Sequence, residues 1–231
     1  MMELSKRLQA VADLVSKDLV VADVGTDHGY IPIYLIEAQK CEKAFAMDIN
    51  EGPLLRAKEH IAEHGLAEKI EVRQSDGVKA MSVGECDSVV VAGMGGALVI
   101  KIMEDGKEIF RGLKEFVLQP QSELEKVRQY LFENEFCVIA ENMVLEDGKF
   151  YPMMKVKNGK ACEHSIMELR YGKGLLEQKH PVLKLFLEKE VRTKEQILKN
   201  LESASGEQIE VRMQELRGEI LLAKEALEVY L

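Results

Sequence analysis

The first segment of the chain with residue types suited to chemistry follows an apolar run. Residues 19–24 are apolar except for Asp23, and they lead directly into Gly25-Thr26-Asp27-His28-Gly29. Open α/β sheets bind ligands at the carboxyl ends of their strands, so a polar segment after a buried strand marks a candidate binding site. Gly25 lets the backbone turn sharply and approach a ligand, and Gly29 opens the next helix without a side chain over the site.

The spacing of these residues indicates which ligand would fit. The pattern Asp-x-Gly-x-x-x-Gly departs from the Gly-x-Gly-x-x-Gly of dinucleotide sites, because Asp27 stands where the second glycine would be. A carboxylate there repels a diphosphate and attracts the ammonium and sulfonium groups of S-adenosyl-L-methionine (SAM). We therefore predict that Asp23, Gly25, Asp27, His28 and Gly29 bind SAM. The alternative is a tight strand-to-helix turn that binds no ligand.

Acidic residues also follow the next two predicted strands. Asp48 ends the second strand 19 residues after Gly29, near the ~20-residue spacing at which an acidic side chain takes the ribose hydroxyls of a nucleoside. Asp76-Gly77 follows the third strand, at the level expected for the adenine of the cofactor. Asp48, its neighbour Ile49, Asp76 and Gly77 are therefore predicted to bind SAM as well. A helix cap or a solvated turn is the alternative for Asp48.

The fourth predicted strand ends in a glycine-rich turn, Ala92-Gly93-Met94-Gly95-Gly96. Glycines expose backbone amides and carbonyls to a neighbouring ligand, and this turn would lie beside the methyl group of SAM. We predict that Ala92 and Gly93 bind the cofactor, and that Gly93 and Met94 act in catalysis with Asp27. A close packing turn between a strand and a helix is the alternative.

Alternating strand and helix signals predict the elements that position these turns. An amphipathic helix is expected over residues 3–15, and the apolar run after it is typical of a parallel strand covered on both faces. Asp147-Gly148 is a hairpin signal, so the sheet should end in an antiparallel pair. The order predicts a Rossmann-like α/β sheet of the class I methyltransferase type. Further strands are expected at 44–49, 70–74, 88–92, 116–119, 136–145 and 150–156, with helices near 30–40, 51–64, 96–110 and 122–134.

The composition changes after Asn158-Gly159-Lys160. Apolar residues then step by three and four over 187–201 and again over 209–230, with a turn at 203–206 between them. Two helices with such stripes and a short loop predict an antiparallel helical hairpin, close to a small coiled coil. The predicted domains are therefore residues 1–159, which bind SAM, and residues 160–231, which form the hairpin.

Composition argues against several classes of protein. The chain has 231 residues and a formal net charge of −9, so bulk electrostatics gives no support to nucleic-acid binding. No apolar run reaches the ~18 to 20 residues of a membrane span, and the amino terminus lacks the features of a signal peptide. We expect a cytoplasmic protein with no metal and no membrane contact, and a monomer is favoured. Dispersed cysteines favour buried thiols over zinc or disulfides: Cys41, Cys86, Cys137 and Cys162.

Three motifs together resemble those of a known family. They are Asp-Val-Gly-Thr-Asp-His-Gly-Tyr at 23–30, Ala-Gly-Met-Gly-Gly at 92–96 and Leu-Gln-Pro-Gln at 118–121, followed by the helical hairpin. This combination, over nearly the whole chain, resembles the bacterial tRNA adenine-N1-methyltransferases that modify adenine 22 in the D-arm. The resemblance implies a class I sheet that binds SAM, a coiled-coil domain at the carboxyl end, and tRNA binding by both parts.

Adenine N1 carries an in-plane lone pair, so it can attack a methyl group without first losing a proton. Catalysis would then come from aligning the reacting atoms and from acceptors that stabilise the positive charge developing on the ring. Our hypothesis is that Asp27, assisted by the backbone at Gly93 and Met94, accepts a hydrogen bond from the adenine N6 amine. N1 lies on the pairing edge, so the target adenine must leave its stack to react.

Cations on the first carboxyl-terminal helix could bind the tRNA backbone, although a solvated helix face explains them equally well. Two other functions stay open: methylation of another substrate, and SAM binding without catalysis by a module whose hairpin contacts proteins. A nicotinamide dehydrogenase is disfavoured by Asp27. The candidate cations are Lys179, Lys184, Lys189, Arg192, Lys194 and Lys199.

Overall fold

The computed structural model describes residues 2–160, 164–202 and 206–231. The chain divides into two compact units, Met1–Glu163 and His164–Leu231. This division lies next to the boundary predicted between residues 159 and 160. All seven strands found in the described part of the chain belong to one sheet in the first unit.

Strands and helices alternate in the first unit as the sequence pattern indicated. The elements are α1 Lys6–Leu14, β1 Val21–Val24, α2 Tyr30–Glu37, β2 Ala44–Asp48, α3 Glu51–Glu63, β3 Ile70–Gln74, β4 Ser88–Met94, α4 Gly96–Asp105, α5 Lys107–Gly112, β5 Glu115–Pro120, α6 Leu124–Glu133, β6 Phe136–Glu146 and β7 Lys149–Asn158.

The sheet has the strand order β3-β2-β1-β4-β5-β7-β6. β1 to β5 pair in parallel, whereas β7 is antiparallel to both β5 and β6. The predicted mixed α/β sheet with an antiparallel final hairpin is therefore confirmed. The chain passes outward from β1 to β3 and then returns to β4 on the other side of β1. A crevice for a ligand opens at such a reversal of strand order.

Apolar side chains cover both faces of the parallel part of the sheet. Every residue of β1 is buried, as expected for a strand that lies between two helical layers. One face packs around Phe110 and Phe116, whose rings meet edge to face at a centroid distance of 5.1 Å. The other face packs around Ile33 and Leu35 of α2. These buried layers fix the strand ends that carry the polar turns.

The closing hairpin turns at the predicted dipeptide. Asp147 and Gly148 both have positive φ, 49° and 74°, as a two-residue type I′ turn requires. Glu146 and Lys149 form the last pair of the ladder on either side of it.

The single helix predicted near 96–110 is wrong, because the structure has two helices, α4 and α5, that meet at Gly106. A Cβ atom on Gly106 would lie 2.1 Å from Val78 Cγ2. The chain therefore bends where the missing side chain admits Val78.

The second unit contains α7 Ile166–Tyr171, α8 Lys173–Glu177, α9 Pro181–Leu201 and α10 Glu207–Glu228. Lys194 of α9 forms an ion pair with Glu219 of α10 at 2.7 Å, and Tyr230 Oη, just after α10, donates to the carbonyl of His180, just before α9, at 3.0 Å, so the two helices run antiparallel. The two long helices were predicted, but α7 and α8 were not. The turn expected at 203–206 lies mostly outside the described residues. No helix in the described ranges combines the length and the apolar character needed to cross a membrane.

Candidate active site

A cavity of about 300 Å³ opens at the carboxyl ends of β1 and β4, where the strand order reverses. Six of the residues predicted to bind or react line it, together with residues from α1, α2 and the turn after β5. The lining is Arg7, Leu8, Asp23, Gly25, Thr26, Asp27, His28, Tyr30, Ile31, Ala92, Gly93 and Gln121.

The turn after β1 is held against the neighbouring strand by its backbone. The amides of Gly25 and Thr26 both donate to the Met47 carbonyl, at 2.8 and 2.9 Å. Gly25 has φ +79°, and a Cβ atom built on it would lie 2.0 Å from Met94 Cε. A side chain at position 25 would therefore be strained and would displace the tip of Met94. The glycine brings bare backbone to the wall of the cavity.

Asp23 is a buried acid in this wall. It is 6% exposed, and no lysine or arginine of the described chain forms an ion pair with it. Burial, with a smaller contribution from the negative charge of Asp48, raises the pKa of the Asp23 carboxyl to about 6. A buried carboxylate without a counter-ion favours a cation in the adjoining space.

Asp27 and His28 lie at the mouth of the cavity. The Asp27 side chain is 63% exposed and forms an ion pair with Arg56 of α3, and one of its oxygens lies 3.4 Å from His28 Nε2. His28 Nδ1 is buried and has no hydrogen-bond partner among the described residues. A polar ligand could supply that partner.

The end of β4 forms the opposite wall. The β4–β5 register shifts between Ala92 and Met94, and Gly93 adopts φ +81° within this bulge. Gln119, which is fully buried, accepts from the Gly93 amide at 3.1 Å and from Arg7 Nη1 at 3.0 Å. The bulge therefore turns the backbone at Gly93 toward the cavity, next to a guanidinium from α1.

The other predicted site residues lie outside the cavity lining. Asp48 ends β2, where its carboxylate accepts from the Asn50 amide at 2.7 Å, and Ile49 beside it is 55% exposed. Asn50 stands at the cap position of α3 but makes no side-chain capping bond. Both Asp48 and Ile49 remain accessible at the same edge of the sheet as the cavity.

Asp76 and Gly77 follow β3. Asp76 forms an ion pair with Lys79 at 2.5 Å, and Gly77, with φ +60°, approaches Ile102 of α4 closely. Gly29 is buried against α3, and Met94 covers Gly25. The turns after β1, β2, β3 and β4 thus share one edge, although only those after β1 and β4 enclose the cavity.

Sequence reasoning missed Arg7 and Leu8 of α1, and it missed Arg56 and His60 of α3. Arg7 reaches the site from a helix that carried only an amphipathic signal. No local pattern could have found it, since its partner Gln119 is 112 positions away in sequence. No group of three or more potential metal ligands occurs in the described part of the chain.

With the site in place, comparison with known proteins gives a consistent result. The family described as tRNA (adenine(22)-N(1))-methyltransferase matches residues 21–225. The chain belongs to this family. The match extends across both units, so the resemblance seen in the three motifs is confirmed over residues 21–225.

Similar proteins carry the same description. The tRNA (adenine(22)-N(1))-methyltransferase of Bacillus subtilis is 33% identical over 98% of both chains, and the crystal structure of the B. subtilis m1A22 tRNA methyltransferase aligns with a TM-score of 0.88 over 98% of this chain and 100% of that one, at 32% identity. A candidate tRNA (m1A22) methyltransferase from Streptococcus pneumoniae, solved in complex with S-adenosyl-L-methionine, gives a TM-score of 0.88 at 33% identity and covers 97% of this chain and 100% of that one.

Proposed function

We propose that this protein transfers the methyl group of SAM to N1 of adenine 22 in tRNA. The observation that carries the proposal is the cavity at the strand reversal. Its wall contains the buried carboxyl of Asp23, which has no ion-pair partner in the described chain, and the chain belongs to the methyltransferase family named above. A cationic cofactor supplies what that carboxyl lacks. The enzyme is thus a SAM-dependent tRNA methyltransferase, and we infer a cytoplasmic location from its substrate.

The residues around the cavity fit SAM group by group. Asp23 would face the positive charge of the cofactor, and the guanidinium of Arg7 would take its carboxylate. Asp48 would accept from the ribose hydroxyls, and the exposed Ile49 would pack on the adenine. The unpartnered Nδ1 of His28 provides a further polar contact. Bound SAM supplies an electrophilic methyl group on a sulfonium.

The role of Asp27 is to stabilise charge on the substrate rather than to remove a proton. Adenine N1 becomes positively charged as it takes the methyl group, and the N6 amine then becomes a stronger donor. Asp27 would accept from that amine, assisted by the backbone at Gly93 and Met94 at the end of β4. The ion pair with Arg56 holds the Asp27 carboxylate in place at the cavity mouth.

The second unit provides cations for the tRNA backbone, with one change from the sequence-based expectation. Lys194 is half-buried and pairs with both Glu190 and Glu219, so it contributes little net charge to a phosphate surface. Lys179, Lys184, Lys189, Arg192 and Lys199 are exposed on or beside α9. We assign tRNA contact to these five.

Methyl transfer from labelled SAM to two tRNA transcripts tests the proposal. One transcript carries adenine at position 22 and the other carries guanine there, and both are otherwise identical. We expect label in the first transcript alone. Label that survives the replacement would refute the assignment of the site, and absence of label from both would refute the assigned reaction.

A further inference from the structure

Three aromatic side chains meet at the mouth of the cavity. His28 and Tyr30 belong to its lining, and His60 comes from α3. The ring centroids lie 4.9 Å apart for His28 and Tyr30, 5.2 Å for His28 and His60, and 5.5 Å for Tyr30 and His60. The ring planes agree within 18°.

These distances describe a triangle rather than a column. In a column of three rings, the first and third centroids would be separated by twice the distance between neighbours. Here all three separations are nearly equal and each pair of rings is stacked with near-parallel planes, so the rings are offset from one another and not aligned in one column. All three residues are half-buried. Together they form one aromatic cluster, called here the ring surface; His28 and Tyr30 line the cavity, and His60 lies outside its lining.

α3 holds the ring surface in place through two residues one turn apart. His60 Nδ1 lies 3.1 Å from the His28 carbonyl oxygen, and Arg56 pairs with the carboxylate of Asp27. The Arg56 side chain is 46% exposed. One face of α3 thus fixes both residues of the loop at the cavity mouth and places a cation beside the rings.

We propose that the ring surface stacks an unpaired base of the tRNA next to the target adenine, with His60 as its outer part. The inference rests on the proposed function. An adenine that swings out to expose N1 leaves a neighbouring base without its stacking partner. Parallel aromatic rings stack such bases regardless of their identity. Arg56, one turn before His60 on α3, supplies a partly exposed cation for the phosphate that joins the two nucleotides.

Substitutions at position 60 test the proposal against a matched control. His60→Ala removes the outer ring, and we expect KM for tRNA to rise about tenfold, within the range measured for loss of one stacking contact. The Kd for SAM should change much less than KM for tRNA, since His60 is outside the cavity lining and touches the loop only through the His28 carbonyl. His60→Phe keeps a ring without the contact to the His28 carbonyl and should restore most of the affinity. His64→Ala alters a histidine at the carboxyl end of the same helix that pairs with Glu37, and it should match the wild type.

A fluorescent base next to adenine 22 reports base stacking, which would not change if His60 had a purely structural role. 2-Aminopurine is placed in turn on the 5′ and the 3′ side of adenine 22, and its emission is followed as each tRNA is saturated with protein. Stacking should quench one of the two with the wild type and with His60→Phe, and His60→Ala should quench it less.

The proposal is overturned if neither position is quenched by the wild type, or if His60→Ala leaves both KM and quenching unchanged. A parallel loss of SAM affinity in His60→Ala would also overturn it, because the ring would then support the cofactor loop. A wild-type protein that transfers no methyl group to tRNA would refute the proposed function instead. The fluorescence titration needs no turnover, so the two failures can be distinguished.

Discussion

Replacing Asp23 with asparagine should make the protein more stable and a poorer binder of SAM. Asp23 is 6% exposed and has no ion-pair partner in the described chain, so its negative charge is unfavourable unless a cation occupies the cavity. Asparagine has nearly the same shape and stays neutral. The opposite signs of the two effects follow from a site built for a positively charged ligand.

The size of the effect follows from the pKa. The Asp23 carboxyl has a pKa of about 6 in the folded protein, against an ordinary value of 3.8. Each pH unit corresponds to ~1.4 kcal/mol, so the ionised side chain lowers the free energy of unfolding by about 3 kcal/mol. Because the folded pKa is raised, the folded state holds the proton more tightly. The free energy of unfolding of the wild type therefore falls by about 3 kcal/mol as the pH rises from about 4 to 6, and it is not regained at higher pH.

Urea unfolding followed by circular dichroism measures the effect at two pH values. At pH 8, Asp23→Asn should raise the free energy of unfolding by up to about 3 kcal/mol. Near pH 3 the wild-type side chain is largely protonated in both states, so the two proteins should be nearly equally stable. A variant that is less stable at pH 8, or equally stabilised at both values, would refute the reasoning.

Calorimetry with SAM gives the second half of the prediction. A cation beside Asp23 favours its ionised form, so wild-type affinity should fall by up to about tenfold per pH unit below pH 6. Asp23→Asn should bind at least about tenfold more weakly at pH 7.5 and should lose this pH dependence, since losing a buried charge partner is costly. An unchanged affinity of the variant for SAM would show that Asp23 does not interact with the cofactor.

Three further predictions concern the other residues of the site and the second unit. Asp27→Asn should lower kcat more than about tenfold while the Kd for SAM changes less, since each ~1.4 kcal/mol of lost transition-state stabilisation is one decade; equal losses in steady-state kinetics and calorimetry would reassign Asp27 to cofactor binding. Gly25→Ala should weaken SAM binding at least about tenfold and lower the melting temperature. An alanine with positive φ is strained by ~1 to 2 kcal/mol, and the Met94 side chain must also move. A melting curve like that of the wild type would contradict the predicted strain. Lys184→Glu should raise KM for tRNA, and the increase should be severalfold larger at low salt than at high salt. Arg217→Glu on α10 is a control with the same change of charge. An equal effect of the two substitutions would contradict the assignment of tRNA contact to the cations on α9.

The sequence predicted the cavity walls where a local pattern carried the information. Asp23 and Gly25 were found because they interrupt or end an apolar strand, and the end of a strand in an open sheet fixes a place in space. The hairpin at Asp147-Gly148 was equally local. Even the unexpected helix α7 had a local signal, a capping box in which Ser165 and Glu168 bond each other's backbone amides.

What the sequence could not predict depends on contacts between distant segments. The break at Gly106 is caused by Val78, and the bulge at Gly93 is stabilised by Gln119 from the next strand. The raised pKa of Asp23 is a consequence of burial, which no single-residue pattern reports. Likewise, the sequence shows His60 only as a polar residue on a helix face, and its contact with the rings at the cavity mouth depends on the tertiary fold.

Primer extension on modified tRNA tests the central claim most directly. A methyl group on N1 blocks the pairing edge, so reverse transcriptase should stop at adenine 22 only when protein, SAM and tRNA have been incubated together. Mild alkali rearranges 1-methyladenine to N6-methyladenine, which pairs, and should remove the stop. A stop at another adenine, or methyl incorporation without any stop, would contradict the assigned reaction.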